Sequence, residues 1–242
     1  MRIRNLLRRL TAVAPVSNES VREQWLASSL LSIPHGHRIL DAGAGTQRYR
    51  KFCGHLRYVS QDFGQYDGQG DGRGLHSGGF DYGKLDIVCD IINIPEPAAS
   101  FDAIMCIEVI EHLKDPILAL KEFSRLLKHG GLLVLTAPFC SHTHLAPYHF
   151  SSGFNRYWYQ HHLEENGFDI LEITANGGYF DFLAQEINRV PEMARRYTDC
   201  KPRLRDLALV FFIQRALARF RRHDRQSSEL LCFGYQVLAR RR

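Results

Sequence analysis

Arg38-Ile39-Leu40-Asp41-Ala42-Gly43-Ala44-Gly45-Thr46 reads as a short apolar strand that ends in an acid and breaks into a glycine-rich turn. Glycines at such a turn let the backbone curl tightly and approach a ligand with no side chain in the way. One such turn is a weak signal by itself. The later segments of the chain, in order and at sensible spacing, make it readable.

Before the turn, Val21, Trp25, Leu26 and Leu30 recur at helical spacing, predicting a helix over 20–32 with Asn18 or Ser20 as its cap. After it, a helix is expected around 47–53, then a second strand over 58–62 that again ends in an acid, Asp62. Residues 64–83 are rich in Gly, Asp and Gln without periodicity, and predict a long loop that either lies in solvent or helps to cover a ligand. Further strands are expected over 85–90, ending in Asp90, over 101–106, ending in Cys106, and over 132–136. Between the last two, Ile117, Leu120, Phe123, Leu126 and Leu127 mark an amphipathic helix over 116–127, with Gly130-Gly131 as its C-terminal stop. A helix over 158–166, a strand over 167–173 and a last strand over 231–239 complete the series. Strands alternating with helices predict a mostly parallel sheet with helices on both faces, and in that architecture ligands sit beyond the carboxyl ends of the strands.

The 242 residues suffice for one substantial domain, and the formal net charge of +5 is too mild to argue for a nucleic-acid partner. The six cysteines show no Cys-x-x-Cys pair and no zinc spacing, which favours free thiols and a cytoplasmic location. No run of about 20 uncharged apolar residues predicts a membrane span. Residues 1–10 carry arginines without the apolar core of a secretory signal.

The ordered set resembles the class I S-adenosylmethionine-dependent methyltransferases over roughly residues 20–175. Asp41, Gly43, Ala44 and Gly45 match that family's first motif, although Gln47 stands at its third glycine position. The resemblance implies a Rossmann-like, seven-stranded α/β fold and S-adenosylmethionine as cofactor. It places Asp62 on the two ribose hydroxyls, Asp90 and Ile91 on the adenine, and Cys106 with the segment to His112 beside the methionine end. A nicotinamide-dependent dehydrogenase, the nearest rival, would carry Gly-x-Gly-x-x-Gly, whereas here Arg48 stands three residues after Gly45.

An acceptor hydroxyl would need a base, for which His149 and His112 are the candidates, with Glu111 and the other histidines of 140–150 behind them. No metal is assigned. The alternative is a divalent ion on Glu108, Glu111 and His112, whose Glu-x-x-Glu-His pattern, with a histidine further on, resembles the metal site of small-RNA 2′-O-methyltransferases and of some ubiquinone-pathway O-methyltransferases. The aromatic cluster Tyr148, Phe150, Phe154, Tyr157, Trp158 and Tyr159 suggests packing or an acceptor pocket, with Gly177–Phe180 as a further wall.

Residues 1–19 form a basic N-terminal segment, and 20–242 a methyltransferase domain with a helical basic insertion at about 185–226 before the last strand. Arginines beside an apolar run in 203–222 suit either packing on the domain, a homodimer interface, or an anionic membrane surface. The expected function is methyl transfer at oxygen to a small molecule or a glycan or lipid-linked acceptor. An RNA 2′-O-methyltransferase and a non-catalytic cofactor-binding domain are the alternatives.

Overall fold

A computed structural model describes residues 17–76 and 78–242. The basic N-terminal segment therefore lies outside the described residues up to residue 16. The chain divides into two compact units, one holding 22–174 with 234–242, the other 175–233 with the described residues up to Val21.

In the first unit, helix α1 (Asn18–Leu31, whose first turn belongs to the second unit) precedes strand β1 (Arg38–Ala42). Next come β2 (Arg57–Asp62), a two-residue β3 (Ile87–Val88), β4 (Phe101–Ile107), α2 (Pro116–Leu126), β5 (Leu127–Pro138), α3 (Arg156–Glu165) and β6 (Phe168–Asn176). The chain returns as β7 (Gly234–Arg241). The strands form one sheet in the order β3-β2-β1-β4-β5-β7-β6. The pairs β1–β2, β1–β4, β2–β3 and β4–β5 are parallel, and β7 runs antiparallel to β5. The fold is the expected seven-stranded, mostly parallel α/β sheet.

The core arises from the pattern of the strands. Ile39, Ala103, Met105, Ile107 and Val134 pack against Leu26, Leu30 and Ile33. The alternate residues Leu40, Ile104, Cys106, Leu133 and Leu135 are buried too, so the central strands are covered on both faces. Asp115 caps α2 by accepting from the Ile117 and Leu118 amides at 3.0 and 3.3 Å, with Pro116 preset at the first helical position.

Four expectations need correction. Residues 48–52 form a 3-10 turn rather than an α-helix. The strand over 85–90 shrinks to Ile87–Val88, because Asp86 is occupied by the Ser60 amide and hydroxyl at 2.9 and 2.8 Å and only two residues pair with β2. Gly130-Gly131 does not stop α2: the helix ends at Leu126, and the glycines lie inside β5, where the β4–β5 register slips between Phe101 and Ala103. The last strand begins at Gly234 rather than Leu231.

The second unit contains α4 (Tyr179–Tyr197) and α5 (Leu204–Arg222). The Arg221 guanidinium meets Asp181 at 3.2 Å, the Gln214 side-chain amide donates to the Ala184 carbonyl at 2.6 Å, and the Phe180 and Phe220 rings lie 5.7 Å apart.

Candidate active site

Beyond the carboxyl ends of β1, β2 and β4, the first unit opens into a cavity of about 890 Å³. The turn after β1 forms one wall. Gly43 and Gly45 have φ of +77° and +51°, in the left-handed region that glycine adopts without strain. A β-carbon on Gly43 would stand 2.6 Å from both γ-methyls of Val109, so the close approach of the two loops also requires glycine.

Asp62 ties the turn to the next loop. Its Oδ2 accepts from the Gly45 amide at 2.9 Å and its Oδ1 from the Gly64 amide at 3.0 Å. Burial pushes its carboxyl up, and these amides work against the shift. Gln61 donates from Nε2 to the Cys89 carbonyl at 2.8 Å, bringing the end of β2 to the segment that holds Asp90. Asp90 is exposed at the cavity, with one oxygen accepting from the Ile92 amide at 3.2 Å, and Ile91 beside it is buried.

Gln47, the departure from the glycine pattern, adopts φ +56° and uses its side chain. Its Nε2 donates to the Tyr82 and Lys84 carbonyls at 2.8 and 2.9 Å, drawing the end of the 64–83 segment over the glycine turn. Tyr66, Phe80 and Tyr82 from that segment line the cavity. Of the two readings of 64–83, the structure shows the covering loop.

The opposite wall comes from the segment after β4 and from 139–150. Glu108, Val109 and His112 line it together with Lys114, Leu118, Tyr148 and Phe150. Glu108 is engaged, since Arg22 lies 3.0 Å from its Oε2 and the Thr136 hydroxyl donates to its Oε1 at 2.9 Å. Glu111 is 1% exposed, and burial, reinforced by the charge of Glu108, holds its carboxyl well above the usual range. Burial and the neighbouring His144 push His112 down to about 4, so its imidazole is neutral near pH 7.

Of the residues singled out from sequence, Gly43, Gly45, Asp62, Asp90, Ile91 and His112 therefore meet at one cavity. Asp41, Ala44, Cys106 and His149 do not line it. Asp41 is buried beneath the turn and accepts from the Tyr58 hydroxyl at 2.5 Å; burial pushes its carboxyl up to about 7. Cys106 is fully enclosed within the sheet, and burial raises its thiol well above its ordinary value. His149 sits behind His112, with ring centres 6.0 Å apart and its Nε2 3.1 Å from the Ser141 hydroxyl. Phe154, Trp158 and Tyr159 pack together at 4.4 to 6.4 Å instead of lining the cavity, and Gly177–Phe180 belongs to the second unit. Sequence reasoning missed Gln61, Phe80 and Tyr82; the only hint was the Phe80-Asp81-Tyr82 pair of aromatics in an otherwise glycine-rich stretch.

A family profile described as a methyltransferase domain matches residues 40–135, the stretch from β1 to β5 that builds the cavity. Residues 40–135 carry a methyltransferase domain of the class I, S-adenosylmethionine-dependent kind. Among curated proteins, the chain is 34% identical over 104 residues to the probable tRNA methyltransferase 9B of Homo sapiens, covering 41% of this chain and 21% of that protein. It is 46% identical over 41 residues to a ubiquinone biosynthesis O-methyltransferase of Xanthomonas oryzae pv. oryzae, 17% of each. The chain thus spans about a fifth of the length of the curated relatives it matches.

In fold, this methyltransferase domain is similar to the [4+2]-cyclase SpnF, with a TM-score of 0.54 and 17% identity over 90% of this chain and 79% of that one. It is likewise similar to a putative sarcosine dimethylglycine methyltransferase of Galdieria sulphuraria, with a TM-score of 0.53 and 18% identity over 90% and 84% of the two chains. S-adenosylmethionine is the cofactor of such domains, and the donor set of the cavity fits it: a nucleoside-sized space, a glycine turn, and two carboxylates at strand ends.

Proposed function

We propose that the protein transfers a methyl group from S-adenosylmethionine to the hydroxyl of a small-molecule, glycan or lipid-linked acceptor. The carrying observation is that Gly43, Gly45, Asp62, Asp90, Ile91 and His112, which lie on separate segments of sequence, line one cavity. Asp62 is the group for the ribose hydroxyls, because a carboxylate accepts two hydrogen bonds at once while its amide partners fix its orientation. Asp90 and Ile91 are the adenine contacts, and the Gly43–Gly45 turn lies against the methionine end.

When bound, the cofactor supplies a methyl on a sulfonium already activated for transfer, so the protein's work is alignment and exclusion of water. Tyr66, Phe80 and Tyr82 close one side of the cavity against solvent. On the other side, the neutral His112 accepts a hydrogen bond from the acceptor's hydroxyl, while Tyr148 and Phe150 offer aromatic faces to a sugar or ring. The name of the ubiquinone O-methyltransferase relative supports oxygen as the methylated atom, and the tRNA methyltransferase relative makes RNA the alternative acceptor. A screen with radiolabelled methyl donor over sugar nucleotides, phenolic ring precursors and tRNA tests the reading. Label in a hydroxyl-bearing small molecule or glycan supports it, and label in tRNA alone contradicts it.

The lipid-linked form of the acceptor finds support in α5 taken by itself. Leu209, Phe212, Ile213 and Phe220 are 61, 65, 41 and 43% exposed and share one side of the helix, next to Arg215, Arg219 and Arg222. Exposed apolar residues bordered by arginines suit a helix lying on an anionic membrane. No helix among the described residues is long and apolar enough to cross one.

A further inference from the structure

His112 on the cavity wall is joined by two further electron-pair donors, Glu111 and His144, which do not line the cavity and to which methyl transfer alone gives no role. Glu111 Oε2 is buried and meets no hydrogen-bond donor. A carboxylate oxygen enclosed without a partner is unfavourable, and few native side chains keep one without a ligand or water to satisfy it. Beside it stand two imidazoles: the ligand atoms of Glu111, His112 and His144 all lie within 4.8 Å of one another, and His112 Nε2 is 3.7 Å from Glu111 Oε1.

Both imidazoles are oriented in the same way. His112 Nδ1 lies 2.6 Å from the Tyr148 carbonyl oxygen, and His144 Nδ1 lies 2.8 Å from the His142 carbonyl oxygen. A carbonyl only accepts, so each Nδ1 carries the proton and each Nε2 keeps its lone pair. A backbone carbonyl fixing Nδ1–H is the arrangement by which proteins prepare Nε2 as a metal ligand. The neighbours that could compete are occupied: Glu108 by Arg22 and Thr136, and His149 Nε2 by the Ser141 hydroxyl. No metal is assigned from sequence, and the donor set here is Glu111, His112 and His144 rather than the Glu108, Glu111 and His112 of the alternative.

We propose that Glu111, His112 and His144 bind one divalent transition-metal ion, with zinc the best match. Two imidazoles and one carboxylate suit such an ion, whereas magnesium and calcium favour oxygen ligands throughout. Metal–ligand bonds of about 2.0–2.1 Å place ligand atoms roughly 3.3 Å apart, so side-chain movements of about an ångström close the site. Three protein ligands leave a position for an exchangeable group. Because His112 also lines the cavity, the ion belongs to the wall that meets the acceptor. With the ion on its Nε2, His112 no longer accepts from the acceptor, and the ion itself would hold and acidify the hydroxyl. That last role rests on the methyl-transfer reading; the metal binding does not.

The test uses the full chain after chelator treatment, titrated with zinc by calorimetry and with cobalt(II) by visible absorption. The expected result is one equivalent bound with micromolar or tighter affinity and a cobalt absorption band. His144→Ala and Glu111→Gln should each weaken binding at least tenfold, while His142→Ala, which changes a histidine outside the set, should not. Absence of binding by folded wild type overturns the proposal, as does binding unchanged in both His144→Ala and Glu111→Gln. Titration of the same samples with S-adenosylhomocysteine separates the two readings, since loss of that binding alone contradicts the cofactor site and leaves the metal site standing.

Discussion

The Gln47 side-chain amide bridges the Tyr82 and Lys84 carbonyls at 2.8 and 2.9 Å, and so joins the glycine turn after β1 to the loop that covers it. A glycine here would remove the strain of the left-handed backbone and lose the bridge. Gln47→Ala should weaken S-adenosylhomocysteine binding about tenfold, as expected for two hydrogen bonds, and speed amide exchange in 64–83. Gln47→Gly should do the same despite its relaxed backbone. Wild-type affinity and exchange in both variants would show that the bridge does not hold the loop.

Gly43 and Val109 leave no room for a β-carbon between them. Gly43→Ala should lower unfolding free energy by about 1–3 kcal/mol, the range for overpacking, and reduce cofactor affinity as the turn moves. Val109→Ala in the same chain should restore part of both. Denaturant melts and calorimetry read the two effects, and an unaltered Gly43→Ala would contradict the geometry.

Asp41 gives a pH dependence. Its folded carboxyl titrates near 7 because it is buried, whereas in the unfolded chain it titrates near 3.9. The folded state therefore holds a proton that the unfolded state has lost. Its stabilising contribution is present in full below about pH 4 and disappears as pH rises through 7, by at most about 4 kcal/mol. Wild type should lose stability relative to Asp41→Asn over that window. Tyr58→Phe removes the hydrogen bond that favours the ionised form, and should extend the decline above pH 7. A difference between wild type and Asp41→Asn that stays flat from pH 4 to 7 would refute this assignment.

The α5 surface predicts binding to vesicles rich in anionic lipid, weakened by salt through screening and lowered at least tenfold in Leu209→Asp with Phe212→Asp. Flotation measures it; a wild-type chain that stays with the soluble fraction at low salt would contradict the membrane contact.

The sheet was legible because its signals are local. Apolar strands ending in Asp41, Asp62 and Asp90, with a helical period between them, need only neighbouring residues to be read. Gly130-Gly131 misled for the same reason: glycine marks a break, and only the pairing with β4 reveals that the break lies inside a strand. β3 was overextended because apolar residues at a sheet edge look like any strand until Asp86 is seen bound to Ser60. Within the site, glycines and acids were readable from spacing, while Phe80 and Tyr82 reach it only through the fold of a loop without periodicity. Likewise no sequence spacing could show that Arg22 occupies Glu108 and leaves Glu111 to face His144.

The central claim, a cofactor site organised by Asp62, is tested most directly by calorimetric titration of wild type and Asp62→Ala with S-adenosylhomocysteine. The structure predicts one equivalent bound by wild type and affinity reduced by about a hundredfold in a folded Asp62→Ala, the loss expected when charge-assisted hydrogen bonds are removed. No binding by folded wild type, or equal binding by both proteins, would contradict it.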